Sequence, residues 1–324
     1  MANVSDLWSA IERYSSFLIT SHVRPDPDAI GSEIALSLFL GKLCKAGRIV
    51  NDSELPTLCA FLPGSESVLM YPEGMDFAYE ALVILDAPDA TRTGAVGGKV
   101  REVPVIVVDH HPYENQMADV AVIDPSSSST GEILHALMSY RRKLIDEDIA
   151  TCLYTAILTD TGRFSYANTG RGTLEAAADL VSLGAKPHWV AENYYERISD
   201  GQMLLLGLAA TRMRRAAEGE VAYTTLGAED FEQAGLGPDV AQELAELPRT
   251  VQGAKIGVLL REIGEGKVKV SLRSKSGVDV KTVAEYFGGG GHKEASGFLL
   301  ELPMREAEIQ VIRYLEEYLR KRHG

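Results

Sequence analysis

Cysteine is scarce in this 324-residue chain: Cys44, Cys59 and Cys152 are the whole set, far apart and odd in number. That excludes a disulfide framework and a Cys-x-x-Cys metal knuckle, and leaves ordinary thiols. No apolar run approaches the roughly 20 residues that a membrane span needs. Met1 to Ser16 carry Asp6 and Glu12 and lack the basic start and apolar centre of a secretory signal. The expectation is a cytoplasmic protein with no membrane partner. Basic residues are outnumbered as well, with 32 Lys and Arg against 46 Asp and Glu, a net charge of -14. A general binder of long nucleic acid needs a broad basic face, so that class is set aside. A small phosphate-bearing substrate is not, because cations held by some of the carboxylates would reverse the local sign. The chain also has no Gly-x-Ser-x-Gly elbow and no Walker A sequence, so a serine nucleophile and P-loop chemistry are not indicated.

What is present is a 45% hydrophobic fraction, enough for a sizeable core, in a chain long enough for two domains. The first half alternates strands and helices. Phe17–Ser21, Ala81–Leu85 and Val103–Val108 are short apolar runs, the mark of strands covered on both faces. Helices are expected over Ala29–Lys45 and Asp146–Thr159, the second capped by Asp146, and Ser129–Glu132 reads as a capping box that opens another. From Gly172 to Ala217 the pattern is almost continuous helix, broken near Gly184 and Pro187. Later, Val221–Thr225, Ala254–Glu262 and Val268–Arg273 read as strands, the last two as a hairpin, and Pro303–Lys321 as an amphipathic helix. The fold class is therefore α/β: an N-terminal, mostly parallel sheet flanked by helices (residues 1–187), a helical linker (188–217) and a smaller α+β C-terminal domain (218–324).

The chemistry-bearing residues stand where apolar elements end. His22-Val-Arg-Pro-Asp26-Pro-Asp28 lies between a strand and a helix, where parallel sheets bind ligands, and its prolines stiffen the loop. As plain structure it would be a turn with Asp28 capping the helix. Asp86 ends ALVILD, Asp109-His110-His111 ends the run VPVIVV, and Asp160 ends TAILTD. Singly, each would be an ordinary terminal polar residue. Together, such carboxylates would repel without a cation between them. His22, Asp26, Asp28, Asp86, His110 and Asp160 suit two divalent ions, which can share a hydroxide and clamp a phosphoryl oxygen. In the second domain, Gly288-Gly289-Gly290-Gly291-His292-Lys293 offers backbone N–H groups and side-chain donors to an anion, and Arg273 offers a bidentate phosphate contact.

These motifs resemble, in order, those of the DHH phosphoesterases, which take their name from the Asp-His-His triplet found here at residues 109–111; GGGGHKEASG resembles the DHH-associated C-terminal domain. The resemblance spans nearly the whole chain. It implies one ion held by His22, Asp26 and Asp86 and another by Asp28, Asp86, His110 and Asp160, with Asp86 bridging. It implies that His111 lies near the substrate phosphate, which makes His111, Asp86 and Asp160 the catalytic set. Arg273, Gly289, Gly290, Gly291 and His292 are implied to bind substrate.

Size and layout resemble the small stand-alone bacterial members of that family. Those trim very short oligoribonucleotides and dephosphorylate 3′-phosphoadenosine 5′-phosphate (pAp). The expectation is thus a hydrolase that uses two divalent ions, Mn²⁺ ahead of Co²⁺ or Mg²⁺, on short RNA or small nucleotides. A homodimer is expected on family grounds. The alternative is a phosphodiesterase for cyclic di-AMP or pApA, and from another class a catalytically silent nucleotide sensor.

Overall fold

The computed structural model describes residues 4–73, 75–98, 103–112, 118–275 and 277–323. The chain divides into two compact units, Met1–Arg197 and Ile198–Gly324.

In the first unit, helix α1 (Val4–Arg13) leads into β1 (Ser16–Thr20), α2 (Pro27–Lys42), β2 (Ala46–Asn51), β3 (Val68–Met70), β4 (Ala81–Leu85), β5 (Val105–Asp109) and β6 (Val120–Ile123). The strands form one sheet in the order β3-β2-β1-β4-β5-β6, and every pair is parallel. Strand residues alternate between two apolar faces. Phe17, Ile19, Val83, Leu85, Ile106 and Val108 enter the larger core, whereas Leu18, Leu82, Ile84 and Val107 enter a smaller core on the other side. That two-sided burial is why these runs are apolar at every position. The larger core also holds buried residues of α2, α3 (Thr130–Met138), α4 (Glu147–Asp160), α5 (Arg171–Ser182) and α6 (Pro187–Tyr194). The smaller one is lined by loop residues such as Tyr71, Tyr79 and Val103.

The sheet order reverses direction between β1 and β4, which are paired neighbours. Crevices at such switch points, beyond the carboxyl ends of the strands, are where open α/β sheets bind ligands. His22 and Asp86 follow β1 and β4 there.

The second unit runs α7 (Asp200–Thr211), β7 (Arg214–Ala216), β8 (Val221–Leu226), α8 (Ala228–Ala234), α9 (Leu247–Thr250), β9 (Ile256–Gly264), β10 (Lys267–Ser274), α10 (Lys281–Tyr286), β11 (Gly290–Gly291), β12 (Ala295–Leu300) and α11 (Met304–His323). Its mixed sheet has the order β11-β12-β10-β9-β8-β7, in which β8 and β9 are parallel and the other pairs antiparallel. The β9–β10 hairpin around Gly264–Gly266 is present, as the sequence indicates.

Residues 188–217 do not form one helix. Val190 of α6 lies in the core of the first unit, while Leu205 and Ala209 of α7 lie in a core of the second with Leu226 and Leu259. The stretch breaks between Tyr194 and Asp200 and ends in the strand β7. Its apolar residues are spread too evenly for periodicity to show which unit each helix serves. Among the described residues no helix is long and apolar enough to cross a membrane.

Candidate metal centre

Asp26 is the N-cap of α2: its Oδ1 accepts from the N–H groups of Asp28 at 2.9 Å and Ala29 at 3.1 Å. The capping role that the sequence suggests for Asp28 therefore belongs to Asp26. Asp28 is left in the first turn with its side chain turned inward and fully buried. Its Oδ2 accepts from Thr130 N at 2.8 Å and its Oδ1 from Gly131 N at 3.0 Å, two donors at the start of α3. Asp86 leaves β4 in a left-handed backbone conformation, φ 52°, uncommon for any residue but glycine. That turn places its buried carboxylate between two histidines. Oδ2 is 3.5 Å from His22 Nε2, and Oδ1 is 3.5 Å from His110 Nε2.

Among the described residues, three groups of side chains bring ligand atoms to within 4.8 Å of one another: His22 with Asp26 and Asp86; Asp28 with His110 and Asp160; and Asp86 with Asp109, His110 and His111. All six residues expected as metal ligands are thus brought together. His110 Nε2 faces Asp86 Oδ1 at 3.5 Å, Asp160 Oδ2 at 3.6 Å and Asp28 Oδ2 at 3.9 Å. These separations are too long for hydrogen bonds. They match ligands around a common cation, since metal–ligand distances of about 2.1 Å put neighbouring ligands roughly 3 to 4 Å apart. The donor set, four carboxylates and two imidazoles, fits a pair of divalent ions.

The His22 imidazole is oriented for such a role. His22 Nδ1 lies 3.0 Å from the carbonyl of Val23. A carbonyl only accepts, so Nδ1 carries a proton in either state and Nε2, which faces Asp86, is the nitrogen that would bind a ligand on giving up its own proton. His111 is more open. Its Nδ1 is 2.9 Å from Asp109 Oδ1, which also accepts the backbone N–H of His111 at 3.0 Å. Asp109 is wholly buried, so the first residue of the triplet serves as the fixed support of the third.

Charge crowding shows in the protonation equilibria. Burial, then the charges of Asp86, Asp160 and Asp26, push Asp28 well above the usual carboxylate range. Burial and the charges of Asp26 and Asp86 push Asp160 up to about 7. Asp26, the most open of the six, is also raised, by loss of water around its carboxyl and by Asp86. Asp86 goes the other way: burial alone would raise it, but His22, His110 and His111 hold it below its ordinary value. Burial alone would lower His22, yet its partners Asp86, Val23 and Asp26 raise it to about 9. Burial lowers His110.

A second layer braces the end of β1. Glu33 of α2 is buried, and its Oε2 accepts from Asn51 Nδ2 at 2.8 Å. Asn51 Oδ1 in turn accepts from Ser21 N at 3.2 Å and Thr20 Oγ1 at 3.3 Å, immediately before His22. Burial pushes the Glu33 carboxyl up to about 7 despite the bond from Asn51.

A pH dependence follows for metal-free protein. Asp160 and Glu33, both near 7 in the folded chain, bind protons there well above the value of roughly 4 at which unfolded carboxyls do. Between those values the folded state holds more protons than the unfolded state, so stability falls as pH rises through that window. His22 acts in the same direction at higher pH: its contribution is full below about 6.5 and is lost as pH rises through about 9. The melting temperature of metal-stripped protein is expected to fall from pH 5 to pH 9, and Asp160→Asn to flatten the part below pH 7. An identical slope in the variant would remove Asp160 from this account. Scanning calorimetry in the presence of a chelator makes the comparison.

In the second unit, Arg273 and the glycine run share one sheet. Arg273 pairs with Ala295 across β10 and β12, and Gly290 pairs with Gly297. The run is not a free loop. A Cβ at Gly289 would lie 2.2 Å from Gly297 O, and one at Gly291, whose φ is 135°, 2.7 Å from Ala295 O. Two of the four glycines are thus required by close backbone packing, a reason the sequence alone did not disclose. His292 closes the hairpin, its N–H donating to Ala295 O at 2.8 Å, and its side chain is exposed. Arg273 is engaged: Nε donates to Glu246 at 2.6 Å and Nη1 to the carbonyl of Leu272 at 3.1 Å. Glu246, which also pairs with Arg249, had no sequence signal beyond its charge.

Residues 16–157 match the DHH family, N-terminal domain, and residues 218–321 match the DHHA1 domain. The chain belongs to the DHH family, with the family's N-terminal domain followed by a DHHA1 domain. It is 33% identical, over 98% of its own length and 94% of the relative's, to the bifunctional oligoribonuclease and PAP phosphatase NrnA of Thermus thermophilus. The cyclic-di-AMP phosphodiesterase PdeA of Listeria monocytogenes is 29% identical over 66% of this chain, but that match spans only 32% of PdeA. Among solved structures, an exopolyphosphatase-related protein from Bacteroides fragilis superposes with a TM-score of 0.89 at 26% identity, covering 98% of this chain and 97% of the other.

Proposed function

We propose that this chain is a two-metal phosphoesterase that degrades oligoribonucleotides of a few residues and removes phosphate from pAp. The observation that carries the reading is the placement of the Asp86 carboxylate. Its two oxygens face two separate groups of imidazole and carboxylate ligands, each 3.5 Å away at the nearest nitrogen. In this reading His22, Asp26 and Asp86 hold one ion, and Asp28, Asp86, His110 and Asp160 hold the other. Bound there, two divalent cations would supply Lewis acidity at a phosphoryl oxygen and acidify a water. His111, steadied by Asp109, is half exposed beside the centre and donates to the substrate phosphate. Residues 1–187 form the catalytic domain and residues 218–324 the substrate-binding domain. There the exposed His292 and the Gly290 backbone contact phosphate, with Arg273 oriented by Glu246. The choice of short RNA and pAp over cyclic di-AMP follows the relative matched end to end at 33% identity rather than the one matched over 32% of its length.

Two imidazoles among carboxylates make a donor set of intermediate softness. It suits Mn²⁺ or Co²⁺ better than Mg²⁺, which prefers oxygen and water. The test is turnover of pAp, pApA, RNAs of two to five nucleotides and cyclic di-AMP, each with Mn²⁺ or Mg²⁺. Higher kcat/KM on short RNA and pAp than on cyclic di-AMP, with Mn²⁺ above Mg²⁺, is expected. Preference for cyclic di-AMP would overturn the substrate choice, and equal rates in Mg²⁺ the choice of metal.

A further inference from the structure

The Ser129–Glu132 segment caps α3, yet it also reaches into the metal centre. Ser129 Oγ accepts from Glu132 N at 3.1 Å, the forward half of a capping box. The return half differs: the Glu132 carboxylate accepts from Ser128 N at 2.9 Å, Ser128 Oγ at 2.6 Å and Thr173 Oγ1 at 3.0 Å. This fixes the first turn of α3 between α4 and α5. Gly131 allows the approach, since a Cβ there would lie 2.6 Å from Ala156 Cβ on α4. Thr130 sits at the tip of that braced turn and is fully buried. Its N–H donates to Asp28 Oδ2 at 2.8 Å, and its hydroxyl donates to Asp86 Oδ1 at 3.2 Å.

We propose that Thr130 is a positioning residue for the metal centre, a single residue that sets the Asp28 and Asp86 carboxylates in register with each other. The inference rests on the two-metal reading above. Asp28 rides on α2 and Asp86 follows β4, so nothing in their own elements ties one to the other. A carboxylate rotates readily about its last torsion, which has broad minima. The Thr130 hydroxyl opposes that rotation at Oδ1, the oxygen facing His110, and so keeps Oδ2 on His22. The β-branched side chain has few rotamers, which keeps the hydroxyl aimed. A carboxylate bonded from behind presents its remaining lone pairs forward, as outer-layer partners of metal ligands generally arrange.

Thr130→Val keeps the shape and the N–H and removes the hydroxyl; Thr130→Ser keeps the hydroxyl. The measurement is Mn²⁺ binding by the full chain, from the free-Mn²⁺ electron paramagnetic resonance signal. The metal-free melting temperature is recorded alongside. Thr130→Val is expected to bind Mn²⁺ about 10- to 100-fold more weakly than wild type, while Thr130→Ser stays within a few-fold. A Thr130 that only supported the helix would lower the metal-free melting temperature and leave Mn²⁺ affinity alone. Wild-type affinity in Thr130→Val, or equal loss in Thr130→Ser, would overturn the proposal. If the valine variant does not fold, Thr130→Ala makes the same comparison. Failure of the wild type itself to take up Mn²⁺ would instead remove the two-metal reading.

Discussion

On the two-metal reading, Asp86→Asn is expected to lower turnover by on the order of a thousandfold or more, because several kcal/mol of charge stabilisation at the phosphoryl group would depend on both ions, and each 1.36 kcal/mol is tenfold. Asparagine is the informative replacement. Asp86 has φ 52°, a conformation that asparagine tolerates and alanine resists, so Asp86→Ala would mix backbone strain with lost ligation. The same variant should lose the thermal response to metal. Saturation at a hundred times Kd stabilises by about 2.7 kcal/mol, or roughly 5 to 10 °C for a unit of this size. In the proposed arrangement every other ligand serves one ion, whereas Asp86 would serve both, with His22 facing one of its oxygens and His110 the other. Asp160→Asn should therefore keep part of the Mn²⁺-induced rise while Asp86→Asn keeps little. An unchanged rise in Asp86→Asn would mean that this carboxylate does not join the two groups. Comparison of melting curves at several Mn²⁺ concentrations decides it.

The residues of this centre were legible because strand chemistry isolates them. In ALVILD and VPVIVVDHH the polar residues follow runs that can only be buried, so each stands out at the end of an element. The parallel sheet then gathers those ends at one edge. What could not be read was anything set by contacts distant in sequence. Thr130 lies 102 positions from Asp28 and 44 from Asp86 along the chain. In the sequence it is simply the residue after a cap. Asp26 and Asp28 are two residues apart, and either could cap α2; only the backbone direction after Pro27 decides. The pairing of Arg273 with Glu246 spans 27 positions and joins two charged residues with no local pattern. Helix over 172–217 is visible from the pattern, but the side of each helix that meets a core is not, so the sequence reads 188–217 as one linker, which the packing divides between the two units.

Catalytic efficiency is expected to fall as RNA substrates lengthen, by about tenfold or more between a dinucleotide and an RNA of roughly ten residues, equivalent to about 1.4 kcal/mol of lost interaction. Proteins that follow a single strand without sequence preference line its path with unpaired basic groups and stacking aromatics. Here the surplus of acid is large, 46 carboxylates to 32 basic side chains. Many of the bases are already neutralised. In the first unit Lys42 pairs with Asp146, Arg48 with Asp76, Arg142 with Asp179, Arg171 with Glu175 and Lys186 with Glu147. In the second, Arg212 pairs with Asp230, Arg214 with Glu308 and Lys255 with Glu220, while Arg249 and Arg273 share the one carboxylate of Glu246, which leaves a single positive charge beside the proposed phosphate contact. Each such surface pair adds little stability, but it leaves little net positive charge for a passing phosphate. A nucleotide beyond the metal centre and its immediate contacts would then meet a net negative surface, which slows encounter as well as weakening binding. The profile should be measured as kcat/KM for end-labelled RNAs from two to about twenty residues at fixed ionic strength. It should then be repeated at higher salt, where screening shortens the range of repulsion to a few ångströms and the long substrates should recover more than the short. A profile that is flat or rises with length at low salt would contradict the short-substrate reading and point to an enzyme that holds and follows long strands.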